Sequence, residues 1–285
     1  RDLRMSRGLG DVYKRQGSSN VAQVATNLDA STKYEYRLLQ NDTNSEPEEF
    51  TTEDDIQLPN SGFEDWYTDS DGLPKPAKDA SSSFWDCGNV NYFGKHIMTT
   101  QNDETALGQG SSVKMETQET MKIIAAGNIF TGTFERDGMG GILTLGRNFE
   151  CRPNKLKGYY KYTSAKVSVS KGHLNEGEDD LCSLYIALTD EQITVNTNKG
   201  IYFDPNSSAV IAYGSISDEE SKGADSFKEF TVDLEYKDLK RIPKYIIVVA
   251  SSSKYGDYME GGKGSTMWLD DLELVYPKSM EEVRK

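Results

Sequence analysis

Along residues 112–276 apolar positions alternate with polar ones in runs of four to eleven residues, each closed off by Gly, Asn, Asp or Ser. A period of two is the repeat of an extended strand, whose successive side chains point to opposite faces, whereas a helix repeats every 3.6. The runs predict strands over 112–116, 127–134, 157–162, 182–189, 193–196, 210–216, 227–235, 245–251 and 266–276. Nowhere does a helical period hold over ten or more residues, and the charged end, 279–285, comes nearest. Short strands with turn residues between them make an all-β protein and favour a jelly-roll β-sandwich. No internal repeat of about forty residues speaks for a propeller.

The stretch before residue 55 has its own pattern. Val21, Leu28, Tyr34, Tyr36, Leu38 and Phe50 recur at strand spacing between Asn, Asp and Ser, which predicts three short strands. The segment from Leu28 to Arg37 resembles the tyrosine corner of a fibronectin type III domain, and Phe50-Thr51-Thr52 resembles its closing strand. In such a corner the Tyr34 hydroxyl bonds back to the chain and pins the turn. A complete sandwich of that kind needs about 100 residues, so 17–54 is expected to be the C-terminal part of a truncated immunoglobulin or fibronectin III-like sandwich, a spacer with an open edge. Residues 1–16 are basic where the rest is acidic, and they resemble a translated sequencing-adapter artefact, so they are set aside from fold reasoning. The expected division is 1–16, a non-native or disordered segment; 17–54, the spacer; 55–277, the jelly roll; and 278–285, a tail.

In the closing run the period of two puts Trp268, Asp270, Leu272, Leu274 and Tyr276 on one face, so a carboxylate lands on the apolar side. A buried carboxylate is costly unless something pairs with it. When the first and last strands of an antiparallel sandwich are neighbours, a Glu leaving the first and an Asp inside the last can share a cation. The early Gly62-Phe63-Glu64 and the late Leu269-Asp270-Asp271-Leu272-Glu273-Leu274 together resemble the jelly-roll carbohydrate-binding modules, and this implies a structural calcium at Glu64 and Asp270. The alternative is an edge strand with solvated acids.

Composition narrows the partner. A net charge of −14 over 285 residues argues against nucleic acid, whose binding needs clustered Lys and Arg. The low hydrophobic share of 36% goes with sixteen Tyr, ten Phe and three Trp, which suits aromatic-faced strands better than a disordered chain. No run of eighteen or more apolar residues predicts a transmembrane helix, and no charged start followed by an apolar stretch marks a signal peptide.

Several further blocks stand in order along 55–277: Gly62-Phe63-Glu64-Asp65-Trp66-Tyr67, Phe84-Trp85-Asp86-Cys87-Gly88-Asn89, Ala126-Gly127-Asn128-Ile129-Phe130-Thr131-Gly132, the Arg152–Tyr162 run, the Ala250–Tyr258 run and the closing strand. Through them the chain resembles the putative carbohydrate metabolism domain family of secreted Bacteroidetes proteins. That resemblance implies an exported protein at the extracellular or outer-membrane surface, often a lipoprotein, with an immunoglobulin-like domain ahead of a glycan-binding-type jelly roll.

A pyranose presents apolar C–H faces and equatorial hydroxyls, so its site combines an aromatic platform with fixed polar groups. The loop aromatics are the candidates: Trp85, Tyr92 with Phe93, Tyr202, Tyr255 and Tyr258, with Asp86, Asn89, Asn91 and Asp257 beside them as hydrogen-bonding partners. Trp66 and Trp268, at strand ends, are expected in the core. Gly261-Gly262-Lys263-Gly264-Ser265 turns a corner or lets backbone approach a ligand, and it lacks the phosphate-loop spacing.

Glycoside hydrolysis needs two carboxylates at roughly 5 to 10 Å. Among 46 acidic residues no pair stands out, although Glu116, Glu135, Glu150 and Asp190 lie in or near strands. His96 and His173 are isolated in polar loops and no Gly-x-Ser-x-Gly is present, which leaves a Ser-His-Asp site without support. Glycan binding is therefore expected over catalysis, with a hydrolase or an adhesion protein as alternatives. Cys87, Cys151 and Cys182 form no close-spaced set for zinc. Cys151 and Cys182 would be the disulfide pair in an oxidising compartment, and burial as small apolar residues is the other reading, favoured for Cys182 by its alternation with Leu184 and Ile186.

Overall fold

The computed structural model describes residues 28–276 except 41 and 42, together with the backbone of a strand at Asp2–Met5 that pairs antiparallel with residues 36–39. The expectations for 6–27 and 278–285 lie outside the described residues. Among the described residues helical structure is confined to four 3-10 turns of three residues each.

The main domain is built from fifteen strands: β1 (Trp85–Asp86), β2 (Thr99–Asn102), β3 (Ser112–Glu116), β4 (Gln118–Thr120), β5 (Ile123–Ala125), β6 (Asn128–Asp137), β7 (Gly140–Leu145), β8 (Lys155–Thr163), β9 (Ser183–Thr189), β10 (Ile193–Asn196), β11 (Val210–Ser215), β12 (Ala224–Asp233), β13 (Glu235–Tyr236), β14 (Tyr245–Ser251) and β15 (Thr266–Val275), with the short pairs at 67–75, 90–96 and 147–148 between them. One sheet has the order β2-β3-β15-β8-β12. The other runs β10-β7-β6-β14-β9-β11-β13, with β1 on β6 and Arg147–Asn148 on β14. All pairings are antiparallel. The two sheets face each other across a common core, the jelly-roll sandwich that the pattern predicted.

Between the sheets lies an apolar layer of Val113, Met115, Leu156, Tyr160, Phe230, Met267 and Leu269 from one side and Ile129, Leu184, Ile186, Leu188, Ile246 and Val248 from the other. Removing such side chains from water supplies about 1.5–3 kcal/mol each before the entropy of ordering them is subtracted. The larger sheet is apolar on its outer face too: Tyr185 and Ala187 alternate with the inward residues of β9, and Ile247 and Val249 with those of β14, and all join a second cluster with Phe130, Phe134, Leu143, Phe203 and Tyr213. An antiparallel sheet usually gives one face to water. Here that face carries the candidate site.

Strand β15 is interrupted. Lys157 pairs with Glu273 and Tyr159 with Asp270, so Asp271 and Leu272 stand opposite the single Gly158, a β-bulge. Asp271 sits at φ 46°, and a Cβ on Gly158 would lie 2.7 Å from Leu272 Cδ2, so glycine makes room for the extra residue. The bulge changes the phase of the strand: Met267 and Leu269 point inward before it, Leu272 and Leu274 after it. This corrects the expectation that Trp268, Asp270, Leu272, Leu274 and Tyr276 share a face. Trp268 is a half-buried outer residue with the Lys161 ammonium 4.4 Å from its ring centre, not a core tryptophan. Trp66 packs against the core and donates to the Phe63 carbonyl at 2.8 Å.

In the leading segment Lys33–Gln40 pairs with Glu48–Thr51, and the Tyr34 hydroxyl accepts the Asp29 N–H at 2.8 Å. Cys87, Cys151 and Cys182 are buried and free, which corrects the reading of Cys151 and Cys182 as a bonded pair. Burial pushes the Cys87 and Cys182 thiols up to about 12, as inert core groups.

Candidate functional site

The outer face of the larger sheet gathers the aromatic residues of three loops. Leaving β14, the chain makes a 3-10 turn at Gly256–Tyr258 and a left-handed residue at Met259 (φ 57°). Gly256 is needed there, because a Cβ would come within 2.4 Å of the Ala126 Cβ. The turn presents Tyr255, Asp257 and Tyr258. After β10, a second 3-10 turn at Thr197–Lys199 brings Tyr202 to Tyr258 with ring centres 4.0 Å apart. A third loop supplies His173, stacked on Tyr255 at 4.4 Å and tilted against Tyr258 at 4.3 Å. Beneath them, Tyr185 stacks on Phe203 at 4.9 Å, with Tyr213 6.0 Å from Tyr185.

Glu260 fixes the His173 loop. Its fully buried carboxylate accepts the N–H groups of Lys171 (2.8 Å), His173 (3.2 Å) and Leu174 (2.6 Å) and meets His173 Nδ1 at 3.0 Å. Burial pushes Glu260 upward, but the hydrogen bonds together outweigh it and hold the group below the ordinary 4.5.

Asp257 is the chemically distinctive group. Among the described residues it accepts no hydrogen bond, and desolvation alone pushes it up to about 6. Its neighbour Tyr185 is raised well above the ordinary phenol range, first by burial and then by the charge of Asp257. Asp257 lines a cavity of about 450 Å³ whose walls are largely apolar, with Met98, Ile124, Phe134, Met139, Leu143 and Met259 among them, and which also carries His96, Gln118, Asn128, Arg136 and Thr197. A desolvated carboxylate that accepts no hydrogen bond among the described residues is costly and suits a ligand that donates to it.

Of the sequence candidates, Tyr202, Tyr255, Asp257 and Tyr258 come together here. Tyr92 lines the far end of the cavity, its ring 4.1 Å under the Arg136 guanidinium. Trp85, Asp86 and Asn89 do not belong to this face. Trp85 is 1% exposed and donates Nε1–H to the Pro59 carbonyl at 2.7 Å, so it is a core residue and not a platform. Asp86 is tied to Lys75 at 2.7 Å and accepts the N–H groups of Cys87 and Phe134. Asn89 is buried, donates to the carbonyls of Pro74 and Thr99 and accepts the N–H groups of Met98 and Thr99. Asn91 is exposed on a hairpin. Sequence reading missed His173, Tyr185, Phe203 and Tyr213. The isolated polar surroundings of His173 gave no signal, while Tyr185 and Tyr213 were detectable as aromatic residues on the non-core phase of their strands.

Glu64 and Asp270 lie at the other sheet. Asp270 is 2% exposed beneath the loop that carries Ala106, whose N–H it accepts at 2.9 Å. Burial first, then the nearby Asp271 and Glu64 charges, push it up to about 6 against the hydrogen bonds it accepts. Glu64 accepts the N–H and the hydroxyl of Ser111, both at 3.0 Å. A Cβ on Gly62 would meet both the Asp271 and Glu64 carboxylates, at 3.2 and 3.6 Å. Oxygen-rich and acidic, this corner has the donor chemistry of a hard cation. Among the described residues no three His, Cys, Asp or Glu side chains form a metal-holding group, so a calcium here would need carbonyl or hydroxyl oxygens to complete its shell.

An all-β sandwich with loop aromatics around a carboxylate on one outer sheet face has the layout of a carbohydrate-associated module. The family is defined by sequence: residues 48–275 match the Putative carbohydrate metabolism domain, and the chain belongs to that family. Among solved structures it is similar to a putative glycoside hydrolase from Bacteroides vulgatus, at 22% identity and a TM-score of 0.58 over 75% of this chain and 96% of that one. A second, a putative glycoside hydrolase from Bacteroides thetaiotaomicron, aligns at 22% identity and a TM-score of 0.51 over 91% of this chain and 72% of that one. Likeness at this identity establishes the fold. No curated protein matches the chain significantly.

Proposed function

We propose that this domain binds glycans through the outer face of its larger sheet, with Tyr202, Tyr255 and Tyr258 as the aromatic surface and Asp257 as acceptor for sugar hydroxyls. The observation that carries the reading is the convergence of three tyrosines, from two loops far apart in sequence, beside the Asp257 carboxylate, which accepts no hydrogen bond among the described residues. Tyr rings offer apolar faces to sugar C–H groups, and an acceptor held in low dielectric makes each hydroxyl contact count. Membership of a carbohydrate family supports the ligand class. A surface location, with the leading segment as spacer, fits that role, as does a calcium at Glu64 and Asp270 holding the loops at the opposite sheet.

Hydrolysis is the second reading, and Asp257 favours it in one respect: a carboxyl near 6 is poised as a general acid. Against it, Asp257 is the single acid among the residues lining the cavity, whereas glycoside hydrolysis takes two. A glycan-array screen, with released reducing sugar assayed in parallel, separates the two. Binding without release, weakened by Tyr258→Ala, is expected. Release of sugar would make the domain an enzyme, and binding insensitive to both Tyr258→Ala and Asp257→Asn would move the site elsewhere.

A further inference from the structure

The cavity that Asp257 lines joins a few polar groups, among them His96, Gln118, Asn128 and Arg136, to a larger apolar surface. The apolar surface includes Val90, Met98, Ile123, Ile124, Ala125 and Leu143, and three apolar side chains of the lining stand in solvent: Phe93 is 94% exposed, Met121 83% and Met139 54%. Two of the three occupy hairpin tips at unfavourable backbone angles. Phe93 has φ 52° between the paired residues 90–91 and 95–96, and Met121 with Lys122 has φ 50° and 64° between β4 and β5. Positive φ is costly for side chains of this size, and turns of this kind are ordinarily filled by Asn and Gly. Strain of this sort, joined to exposed apolar side chains around one opening, marks a recognition surface.

Resting on the sugar-binding reading above, we propose that the ligand is a glycoside bearing an apolar substituent. The sugar engages Asp257 and the tyrosines, and an aryl or acyl group lies in the groove between Phe93, Met121 and Met139. The argument for this occupant is continuity. Asp257 lines the groove and also neighbours Tyr258, so a molecule spanning both must be polar at one end and apolar at the other. A cavity of about 450 Å³ lies within the range of roughly 300–1,000 Å³ that holds ligands of that size.

The test compares matched pairs by titration calorimetry: methyl and 4-nitrophenyl pyranosides of glucose, galactose, mannose, xylose and N-acetylglucosamine. The 4-nitrophenyl member is expected to bind at least about tenfold tighter than its methyl partner, the gain of burying a few methylene equivalents. The double variant Phe93→Ser/Met121→Ser, changed at exposed positions only, is expected to erase that gap while methyl glycoside binding stays as it was. Methyl glycosides that bind with no gain from the aryl group would overturn the inference and leave the sugar-binding reading standing. A gap that persists in the double variant would place the apolar group elsewhere and also overturn it. If 4-nitrophenol alone binds as tightly as its glycosides, or no member of the panel binds, both readings fall. A concentration-dependent dimer that the double variant dissolves would show that a second copy covers the groove, and would equally overturn it.

Discussion

Glu260 and His173 are joined by a 3.0 Å contact between a fully buried carboxylate and an imidazole that stacks on Tyr255, so an acid with no exposed surface sets the position of the ring against which the loop tyrosines pack. Glu260→Gln replaces an acceptor of three N–H groups by an amide whose NH₂ would face some of them. A loss on the order of 2–3 kcal/mol in urea unfolding is expected, with weaker glycan binding. The folded pKa of Glu260 lies below its ordinary 4.5. Its contribution to stability is therefore present above that value and lost as pH falls. The variant's deficit should shrink in acid, and a deficit independent of pH would refute this role.

Asp257 has the opposite sign. Its pKa is raised from 3.8 to about 6, so well below 3.8, at about pH 3 or lower, both folded and unfolded chains carry the proton and the group is neutral to stability. As pH rises from there to about 6, the unfolded chain ionises first and stability falls. Asp257→Asn should match wild type at about pH 3, exceed it at about pH 7 and bind glycans more weakly. Equal stability of the two proteins at both pH values would show that Asp257 is not desolvated.

Trp85 and Tyr258 should separate core from site. Trp85→Ala empties a fully buried position and is expected to cost about 3–5 kcal/mol, seen as a large fall in Tm. Tyr258→Ala, at a half-buried ring, should leave most of the stability in place and reduce glycan affinity tenfold or more, about 1.4 kcal/mol. A large stability loss from Tyr258→Ala would make it a structural residue.

Calcium is expected to stabilise the fold by about 2.7 kcal/mol at a hundredfold excess over its dissociation constant, seen as a higher Tm than with a chelator. Glu64→Gln and Asp270→Asn should each abolish the increase. A Tm unmoved by calcium would leave Asp270 as an uncompensated acid held by the fold.

The sandwich was legible because its strands obey a period of two: 112–116, 193–196 and 245–251 are found at the residues the alternation marks. The pattern hid β7, where Gly140-Gly141 at the head of Ile142-Leu143-Thr144-Leu145 reads as a turn, and it misplaced Trp268 because a one-residue bulge leaves no trace in alternation. Tyr202, Asp257 and Tyr258 could be chosen as loop aromatics and an acid. Trp85 could not be told from them, since a two-residue strand laid on β6 carries it inward. Nothing local marked Glu260, whose work depends on a loop 86 to 89 residues away in sequence.

Because the larger sheet has its inward side chains in the common core and its outward ones in the site, each strand keeps two separate accounts in alternating positions. Leu184 and Ile186 pack in the common core, and Tyr185, between them, packs with Phe203 and Tyr213 beneath the loop aromatics. Of the outward residues of β9, Ala187 and Thr189 are fully buried, so Tyr185, half-buried beneath the loop aromatics, is the position where variation would reach the proposed site. On the proposed function, relatives sharing this scaffold can vary at that position while the inward residues keep the core.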